Sequence, residues 1–378
     1  MGGRFTGWLD GLFALRDRVL GSARFQRWAA DFPLTRRIAH RQASALFDIC
    51  AGFVYSQVLA ACIRLGLFDT LSKGAETPEN LAAQNGMPTD AMRRLLAAAA
   101  ALGLVAKRPG GRYGLGMLGA ALVGNPGIAA MIEHHAMLYD DLRDPIALLR
   151  GSQDTTRLAR YWPYAATEAP SALDDASIAG YTRLMAASQG LIAEDILAAY
   201  DFRRHVWLLD IGGGDGAFLF AAAAHAPGLR MTVFDLPPVA EKAAARFKAH
   251  GLSARAAAIG GDFLSDALPA GADLVTLIRI ILDHDDATAL QILRAARRAI
   301  SADGALLIAE PMSGLTGSKA VSDAYFGFYL LAMGRGRPRS FGELRALLEE
   351  AGFERIRAVA TRRPLLTNIV IAFPGRQG

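Results

Sequence analysis

A glycine-rich segment near the middle of the chain constrains the fold more than any other feature. An apolar run ends at Asp210, continues through Gly212 and Gly214, and leads into an alanine-rich stretch with helical character. Glycine lets the backbone approach a ligand closely, and the start of a helix leaves N–H groups free to bind polar oxygens. The segment therefore predicts a strand, a tight turn and a helix N-terminus beside a small polar ligand.

Two kinds of nucleotide ligand fit this segment. The spacing of Gly212, Gly214 and Ala217 satisfies the dinucleotide pattern G-x-G-x-x-G/A, which is a weak signal by itself. A second strand-like stretch ends at Asp235, about 20 residues further on, where an acid hydrogen-bonds a ribose. A third such stretch is followed by Asp262. Acids after successive strands predict either S-adenosylmethionine or NAD(P) as the cofactor.

The later strand-like stretches favour S-adenosylmethionine. We predict a fourth strand over 273–279, a fifth over 305–310, and two closing extended segments over 353–361 and 366–373. A closing hairpin on a mostly parallel sheet differs from the twice-repeated dinucleotide fold. The predicted fold class is therefore α/β, with a seven-stranded, mostly parallel, Rossmann-like methyltransferase sheet.

Four ordered motifs carry a resemblance to a known family. They are Asp210-x-Gly-Gly-Gly-x-Gly216, Phe234-Asp235-Leu236-Pro237, Gly261-Asp262-Phe263 and Ala309-Glu310-Pro311. With these motifs the chain resembles the caffeate-type small-molecule O-methyltransferases from about residue 43 to residue 373. The resemblance implies S-adenosylmethionine as cofactor, a helical, winged-helix-like N-terminal dimerisation domain, and a homodimer.

The same resemblance assigns the cofactor contacts. It places Gly212 and Gly214 beside the methionine moiety, Asp235 at the ribose, and Asp262 with Phe263 at the adenine. Further contacts are implied at four other positions: Asp210, Leu236, Arg279 and Met185. The last of these stands where the family has a methionine near the sulfonium, and ordinary helix packing is its alternative role.

The chain departs from this family at the expected general base. The family has a catalytic histidine after the fourth strand, but alignment on Arg279 and Asp283 puts Leu282 at that position. Pro338 stands where the family has a glutamate that supports the histidine. The acidic or basic side chains left as candidate proton acceptors are Asp283, His284 and Glu310.

Methyl transfer does not require a strong base, because the sulfonium is already activated. Positioning of the reactants alone lowers the activation free energy by ~7–11 kcal/mol, and exclusion of water from the site favours the reaction further. A tertiary alcohol is too weak an acid to ionise beforehand, so its proton is expected to leave late. The alternative role of Asp283, Asp285 and Asp286 is to cap the following helix, which we favour for the last two.

The front of the chain carries a narrower resemblance. Residues 25–28, 32–36 and 45–57 resemble the hydroxycarotenoid O-methyltransferases of purple photosynthetic bacteria, which methylate a tertiary hydroxyl of acyclic carotenoids. A small apolar hydroxylated substrate is therefore expected, and the apolar stretch 322–333 fits an acceptor tunnel, with core and dimer packing as its alternative. A methyltransferase for a phenolic or polyketide hydroxyl and a non-enzymatic winged-helix regulator remain alternatives.

The predicted domains are a basic amphipathic segment over 1–42, a dimerisation and acceptor-lining domain over 43–200, and a cofactor-binding catalytic domain over 201–378. In the dimerisation domain we predict a helix that begins at Pro78 with Thr77 as its N-cap, and a wing of two short strands joined by the turn 107–113. In the catalytic domain, Ser340 and Glu343 are predicted to form a capping box.

The winged-helix pattern raises the question of DNA binding. Its recognition helix offers Arg93 and Arg94 among alanine and leucine, with little to contact base edges. We therefore expect no nucleic-acid partner.

The first 41 residues hold eight arginines against three aspartates, which equals the whole chain's net charge of +5. Apolar side chains recur there at roughly helical spacing, namely Phe5, Trp8, Leu9, Leu12, Phe13, Leu15, Val19 and Leu20. A basic helix with such a face can lie on a membrane surface. Contact with the dimer partner is the alternative. No apolar run reaches the ~20 residues needed to span a bilayer, and no signal peptide is visible. A cytoplasmic location is expected, and for this segment we slightly favour contact with the dimer partner over peripheral contact with the inner membrane.

Histidine and cysteine do not form a metal-binding pattern. His134 and His135 are adjacent, and neighbours on a helix point about 100° apart, so they are poor joint ligands. No other Cys/His group suggests a metal. Cys50 and Cys62 are predicted to be reduced residues of an apolar core.

Overall fold

The computed structural model describes residues 2–152, 156–161, 185, 189–314 and 320–375, with the side chains of 2–7 and 320 excepted. The chain forms two compact units, Met1–Val123 and Gly124–Gly378. This division lies inside the predicted segment 43–200. The boundaries predicted after residues 42 and 200 divide the chain by the expected role of each segment and not by compactness, and they stay predictions.

The first unit is mainly helical and contains one small hairpin. Strand β1 (Val105–Lys107) pairs antiparallel with β2 (Tyr113–Leu115), which confirms the predicted wing. Thr77 caps the helix that begins at Pro78, also as predicted. The helices of this unit are Gly2–Leu20, Ala23–Asp31, Arg36–Arg64, Leu67–Lys73, Pro78–Gln84, Thr89–Ala101 and Met117–Ala120.

The long helix Arg36–Arg64 corrects two predictions. Its most apolar window has a mean hydropathy of 1.8 and is 11% buried, so by length and composition it could cross a membrane. The expectation that no stretch of this kind exists is wrong. Isolated polar residues interrupt the apolar run, but the mean hydropathy of the window stays high. Cys50 is exposed on this helix, whereas Cys62 is buried. Only the second cysteine is therefore a core residue.

The second unit is built on the predicted seven-stranded sheet. Its strands are β3 (Trp207–Ile211), β4 (Arg230–Asp235), β5 (Ala256–Gly260), β6 (Ala272–Ile278), β7 (Ile300–Glu310), β8 (Phe353–Val359) and β9 (Asn368–Pro374). Their order is β5-β4-β3-β6-β7-β9-β8. The first five are parallel neighbours, and β9 runs antiparallel to both β7 and β8. This arrangement confirms the mostly parallel sheet with a closing hairpin.

Helices cover both faces of this sheet, and a separate apolar cluster fills each side. Ser340 and Glu343 form the predicted capping box. A π-helical segment, Ala320–Phe326, precedes the short helix that ends at Met333. The helices of this unit are Pro126–Asp141, Pro145–Leu149, Arg157–Tyr161, 189–199, Ala217–His225, Pro237–Ala249, Asp286–Ala299, Gly327–Met333 and Phe341–Glu350.

The register of the central strands places the site. Ile211 at the end of β3 is paired with Phe234 of β4 and with Leu277 of β6. The carboxyl ends of parallel strands lie at one edge of a sheet, where ligands of open α/β folds bind. The loops that follow β3, β4 and β6 therefore meet at this edge.

Candidate active site

The loop after β3 has the backbone conformation that its glycines predict. Gly212 and Gly214 have φ angles of 69° and 62°, in the left-handed region that favours glycine. Gly213 is confined for another reason, because an added Cβ would collide with the carboxylate of Asp210. At Gly214 an added Cβ would meet nothing within 4 Å. The loop is thus tight against the sheet and open on its outer side.

Asp235 joins this loop to the end of β4. One carboxylate oxygen accepts a hydrogen bond of 2.8 Å from Gly214 N–H, and the other accepts one of 2.8 Å from Leu236 N–H. Burial raises the pKa of Asp235 to about 6, against the opposing effect of these two bonds. Each oxygen keeps a further lone pair for a hydroxyl donor. The arrangement suits a ribose diol.

Asp210 lies beneath the loop and is almost completely buried. Its Oδ1 accepts a hydrogen bond of 2.6 Å from the Thr276 hydroxyl, a partner that sequence reasoning missed. Its Oδ2 has no hydrogen-bond partner among the described residues. Burial raises the pKa of Asp210 to about 7, and the charge of Asp235 adds to the shift. A cationic ligand at this edge would stabilise both carboxylates.

Phe263 and its neighbours form the adjoining wall. The Phe263 ring lies close to Gly212 and meets the imidazole of His284 edge to face, with 5.9 Å between ring centres. Asp262 Oδ1 accepts a 2.9 Å bond from Leu264 N–H, which fixes the loop after β5. Phe263 and His284 thus form an aromatic wall next to the glycine loop, and the adenine contact of Asp262 and Phe263 stays a prediction.

Arg279 follows β6 with a strained backbone. Its φ of 56° lies in the left-handed region, which costs about 1–3 kcal/mol for a residue other than glycine. Its guanidinium donates to Gln189 Oε1 at 3.1 Å and lies 3.4 Å from the Met185 carbonyl oxygen. Two predicted cofactor contacts, Arg279 and Met185, are therefore neighbours. Residues 181–184, which precede Met185 in its motif, lie outside the described part of the chain.

The predicted proton acceptors occupy different surroundings. Glu310 is 1% exposed, accepts a 3.0 Å bond from Leu282 N–H, and has its pKa raised to about 7 by burial. Burial and the nearby Glu310 charge raise the pKa of Asp283 well above its usual value. The surroundings of Asp283 therefore favour the protonated form of its carboxyl. Burial lowers the pKa of His284 to about 4, and its ring faces the aromatic wall.

Leu282 itself belongs to an apolar cluster. The cluster consists of buried side chains from five segments: Leu138, Leu148, Leu158, Leu282, Tyr329, Leu330, Ala332 and Met333. Asp285 caps the next helix through Thr288 N–H, as predicted. The same prediction is wrong for Asp286, whose carboxylate instead binds Arg337 and Arg339.

Arg339 holds the turn that carries these residues, and sequence reasoning missed it. Its side chain is fully buried and donates to the carbonyl oxygens of Ile281 and His284, at 2.7 Å each, and to Asp286 at 2.8 Å. Arg337 N–H donates to the Leu282 carbonyl oxygen at 2.9 Å. The sequence did contain one indication of this role: Arg339 follows directly after Pro338, the position at which the family has its glutamate.

Comparison with known proteins identifies the family. A model of the O-methyltransferase domain matches residues 139–354, and a model of the O-methyltransferase dimerisation domain matches residues 47–125. The chain belongs to the O-methyltransferase family. This O-methyltransferase is therefore an enzyme, and its dimerisation domain supports a homodimer.

Two bacterial relatives and one solved structure are similar to this O-methyltransferase. Demethylspheroidene O-methyltransferase of Cereibacter sphaeroides is 42% identical over 362 residues, covering 96% of this chain and 95% of the relative. The protein of that name from Rhodobacter capsulatus is 39% identical over 359 residues, covering 95% and 89%. The structure of CalO1, a methyltransferase in calicheamicin biosynthesis with SAH bound, is 27% identical with a TM-score of 0.75, covering 89% and 98%.

S-adenosylmethionine is the cofactor of this O-methyltransferase, and the residues at the sheet edge fit it. The buried Asp210 oxygen without a partner and the raised pKa of Asp235 suit a ligand with positive charge. The aromatic wall at Phe263 suits adenine. The individual assignments, including Leu236, Arg279 and Met185, stay predictions. Among the described residues, no group of three or more His, Cys, Asp or Glu is placed to hold a metal ion.

We predict that Asp235→Ala weakens S-adenosylmethionine binding by about 1–3 kcal/mol, because the ribose loses a buried partner. Asp235→Asn keeps the side-chain shape and one acceptor oxygen, so its loss should be smaller. Isothermal titration calorimetry measures both affinities, and circular dichroism checks the fold. Equal affinity in the parent and both variants would move the ribose away from the end of β4.

We predict that Arg339→Met lowers the free energy of unfolding by about 1–3 kcal/mol, because buried carbonyl oxygens lose their donor. Arg337→Met is the matched control. Its side chain is 43% exposed and makes surface ion pairs, which contribute about 0–1 kcal/mol. Urea unfolding compares the two variants. A loss in Arg337→Met as large as that in Arg339→Met would contradict the assigned role.

Proposed function

We propose that this O-methyltransferase transfers a methyl group from S-adenosylmethionine to the tertiary hydroxyl of an acyclic hydroxycarotenoid. The observation that carries the proposal is the apolar cluster around Leu282, in the place of the family's histidine. The names of the two bacterial relatives support the same substrate class. A long hydrocarbon with one hydroxyl needs an apolar wall and few polar groups.

Catalysis in this proposal rests on positioning. The bound cofactor supplies an activated methyl group on a sulfonium. The glycine loop, Asp235 and Phe263 orient that group, and the cluster around Leu282 excludes water from the acceptor. Holding two reactants in line lowers the activation free energy by ~7–11 kcal/mol. Glu310 holds the turn after β6 through its bond from Leu282 N–H, and the raised pKa values of Asp283 and Glu310 reduce the negative charge beside the acceptor.

We further propose that the basic N-terminal segment touches a membrane, with the enzyme on the cytoplasmic side. A carotenoid partitions into lipid, so its enzyme must reach the bilayer. The helix Gly2–Leu20 exposes large apolar side chains: Trp8, Leu12, Phe13, Leu15, Val19 and Leu20. Arginines of the same segment would attract anionic lipid headgroups, at about 1 kcal/mol each near the surface. The matched dimerisation model begins at residue 47 and does not include this helix.

The acceptor class is tested with labelled S-adenosylmethionine and two acceptors, demethylspheroidene and caffeate. We expect label in the carotenoid and a much slower reaction with the phenol, because the apolar wall favours the hydrocarbon. Asp235→Ala serves as the variant with impaired cofactor binding. Efficient methylation of caffeate alone would establish a phenol methyltransferase. Turnover of neither acceptor would show that the enzyme methylates another class of compound and would overturn the carotenoid proposal.

Membrane contact is tested by flotation with vesicles of phosphatidylglycerol or of phosphatidylcholine. We expect the parent to float with the anionic vesicles and to dissociate as salt is raised, since charge attraction is screened. The double variant Trp8→Ala, Phe13→Ala should lose this binding and stay dimeric by light scattering. Loss of the dimer instead would assign the helix Gly2–Leu20 to the subunit interface.

A further inference from the structure

Two adjacent histidines each contact a tyrosine hydroxyl across neighbouring helices. His134 Nε2 lies 2.9 Å from the hydroxyl oxygen of Tyr329. His135 Nε2 lies 2.6 Å from that of Tyr325. The imidazoles are thus oriented by phenols.

The two pairs differ in their surroundings. His134 and Tyr329 are 6% and 8% exposed, and Nδ1 of His134 has no hydrogen-bond partner in the described part of the chain. Tyr329 belongs to the same buried cluster as Leu282, whereas Tyr325 lies at its margin. The pair of His134 and Tyr329 therefore stands beside the position at which the family's histidine is missing.

The protonation states of this pair suit proton transfer. Burial and the charge of His135 lower the pKa of His134 to about 4, so its ring is neutral with one free lone pair at pH 7. Burial raises the pKa of Tyr329, so the phenol keeps its proton. Among the described residues, the other titratable or charged groups that face the pair are Tyr161, Tyr325, Asp283 and Arg279.

We propose that Tyr329 and His134 form a proton relay that replaces the base missing at Leu282; this inference rests on the proposed function. The acceptor oxygen bonds to the methyl carbon while the carbon–sulfur electron pair returns to sulfur. The acceptor's proton passes to the Tyr329 oxygen, and the tyrosine's own proton passes to His134 Nε2. Once the methylated product has left, the imidazolium returns its Nε2 proton through the Tyr329 hydroxyl to water, which restores the Nδ1–H tautomer, so one proton is released for each methyl transferred.

A weak base is sufficient for this step. An alcohol oxygen becomes strongly acidic once its bond to the methyl carbon forms, so a neutral imidazole can accept the proton late in the reaction. The other candidates are less suitable. Burial raises the pKa of Asp283 well above its usual value and so favours its protonated form, one oxygen of Glu310 is bonded to Leu282 N–H, and His284 faces Phe263. The relay requires the His134 tautomer that carries its hydrogen on Nδ1.

The two similar pairs provide a matched experiment. Tyr329→Phe should lower kcat with demethylspheroidene about 10²–10⁴-fold, as for a lost proton acceptor, with S-adenosylmethionine affinity unchanged. Tyr325→Phe also removes a hydroxyl bonded to a histidine, and its loss should be about tenfold or less. Equal losses in the two variants would reduce both pairs to a structural role and overturn the relay.

Two further measurements separate proton transfer from structure. Added imidazole should restore activity to His134→Ala and leave His135→Ala unchanged, because only the first variant lacks a proton acceptor. Nitrogen NMR of the histidine-labelled, cofactor-free protein should show His134 with its hydrogen on Nδ1. A hydrogen on Nε2, or failure of imidazole to restore His134→Ala, would contradict the relay. If His134→Ala does not fold, Tyr329→Phe and the NMR spectrum decide.

The outcome for the relay is distinct from the outcome for the proposed function. A parent enzyme that methylates caffeate and not demethylspheroidene would end the carotenoid assignment. The Tyr329→Phe and Tyr325→Phe variants are then compared on caffeate, and the NMR measurement needs no acceptor. Equal losses on caffeate or a hydrogen on Nε2 would overturn the relay in that case also.

Discussion

The parallel register of β3 with β4 and β6 is the constraint on which the candidate site depends. It brings the glycine loop, the carboxylate of Asp235 and the strained Arg279 to one edge of the sheet. The bond from Gly214 N–H to Asp235 then fixes the loop against the end of β4. A slip of one residue would turn Asp210 away from Thr276, since side chains alternate along a strand.

Buried acids at this edge have a shared electrostatic explanation. Asp210, Asp235 and Glu310 all have pKa values raised mainly by burial. An isolated buried carboxylate is costly, and a positive ligand compensates that cost. The edge is therefore suited to a sulfonium cofactor, because its positive charge compensates the cost of burying these carboxylates.

The turn after β6 shows how the family's catalytic position can change its chemistry and keep its shape. Glu310 accepts from Leu282 N–H, and Arg339 donates to the carbonyl oxygens of Ile281 and His284. These bonds fix the backbone and do not involve the Leu282 side chain. An apolar residue can therefore occupy the place of a base without moving the turn. The proposed relay would supply the missing proton acceptor from neighbouring helices.

The sequence by itself determined the glycine loop, the number and direction of the strands, the helix caps at Thr77 and Ser340, and the cofactor class. The loop, the strands and the caps follow from local turn chemistry and residue periodicity, whereas the cofactor class followed from the arrangement of the strands and from the resemblance of four motifs to a known family. Tertiary structure alone decided that His134 meets Tyr329, which is 195 residues away, and that Arg339 serves a turn rather than the surface. It also decided that Cys50 is exposed. Contacts between distant segments depend on how helices stack on the sheet, and no local pattern encodes that geometry.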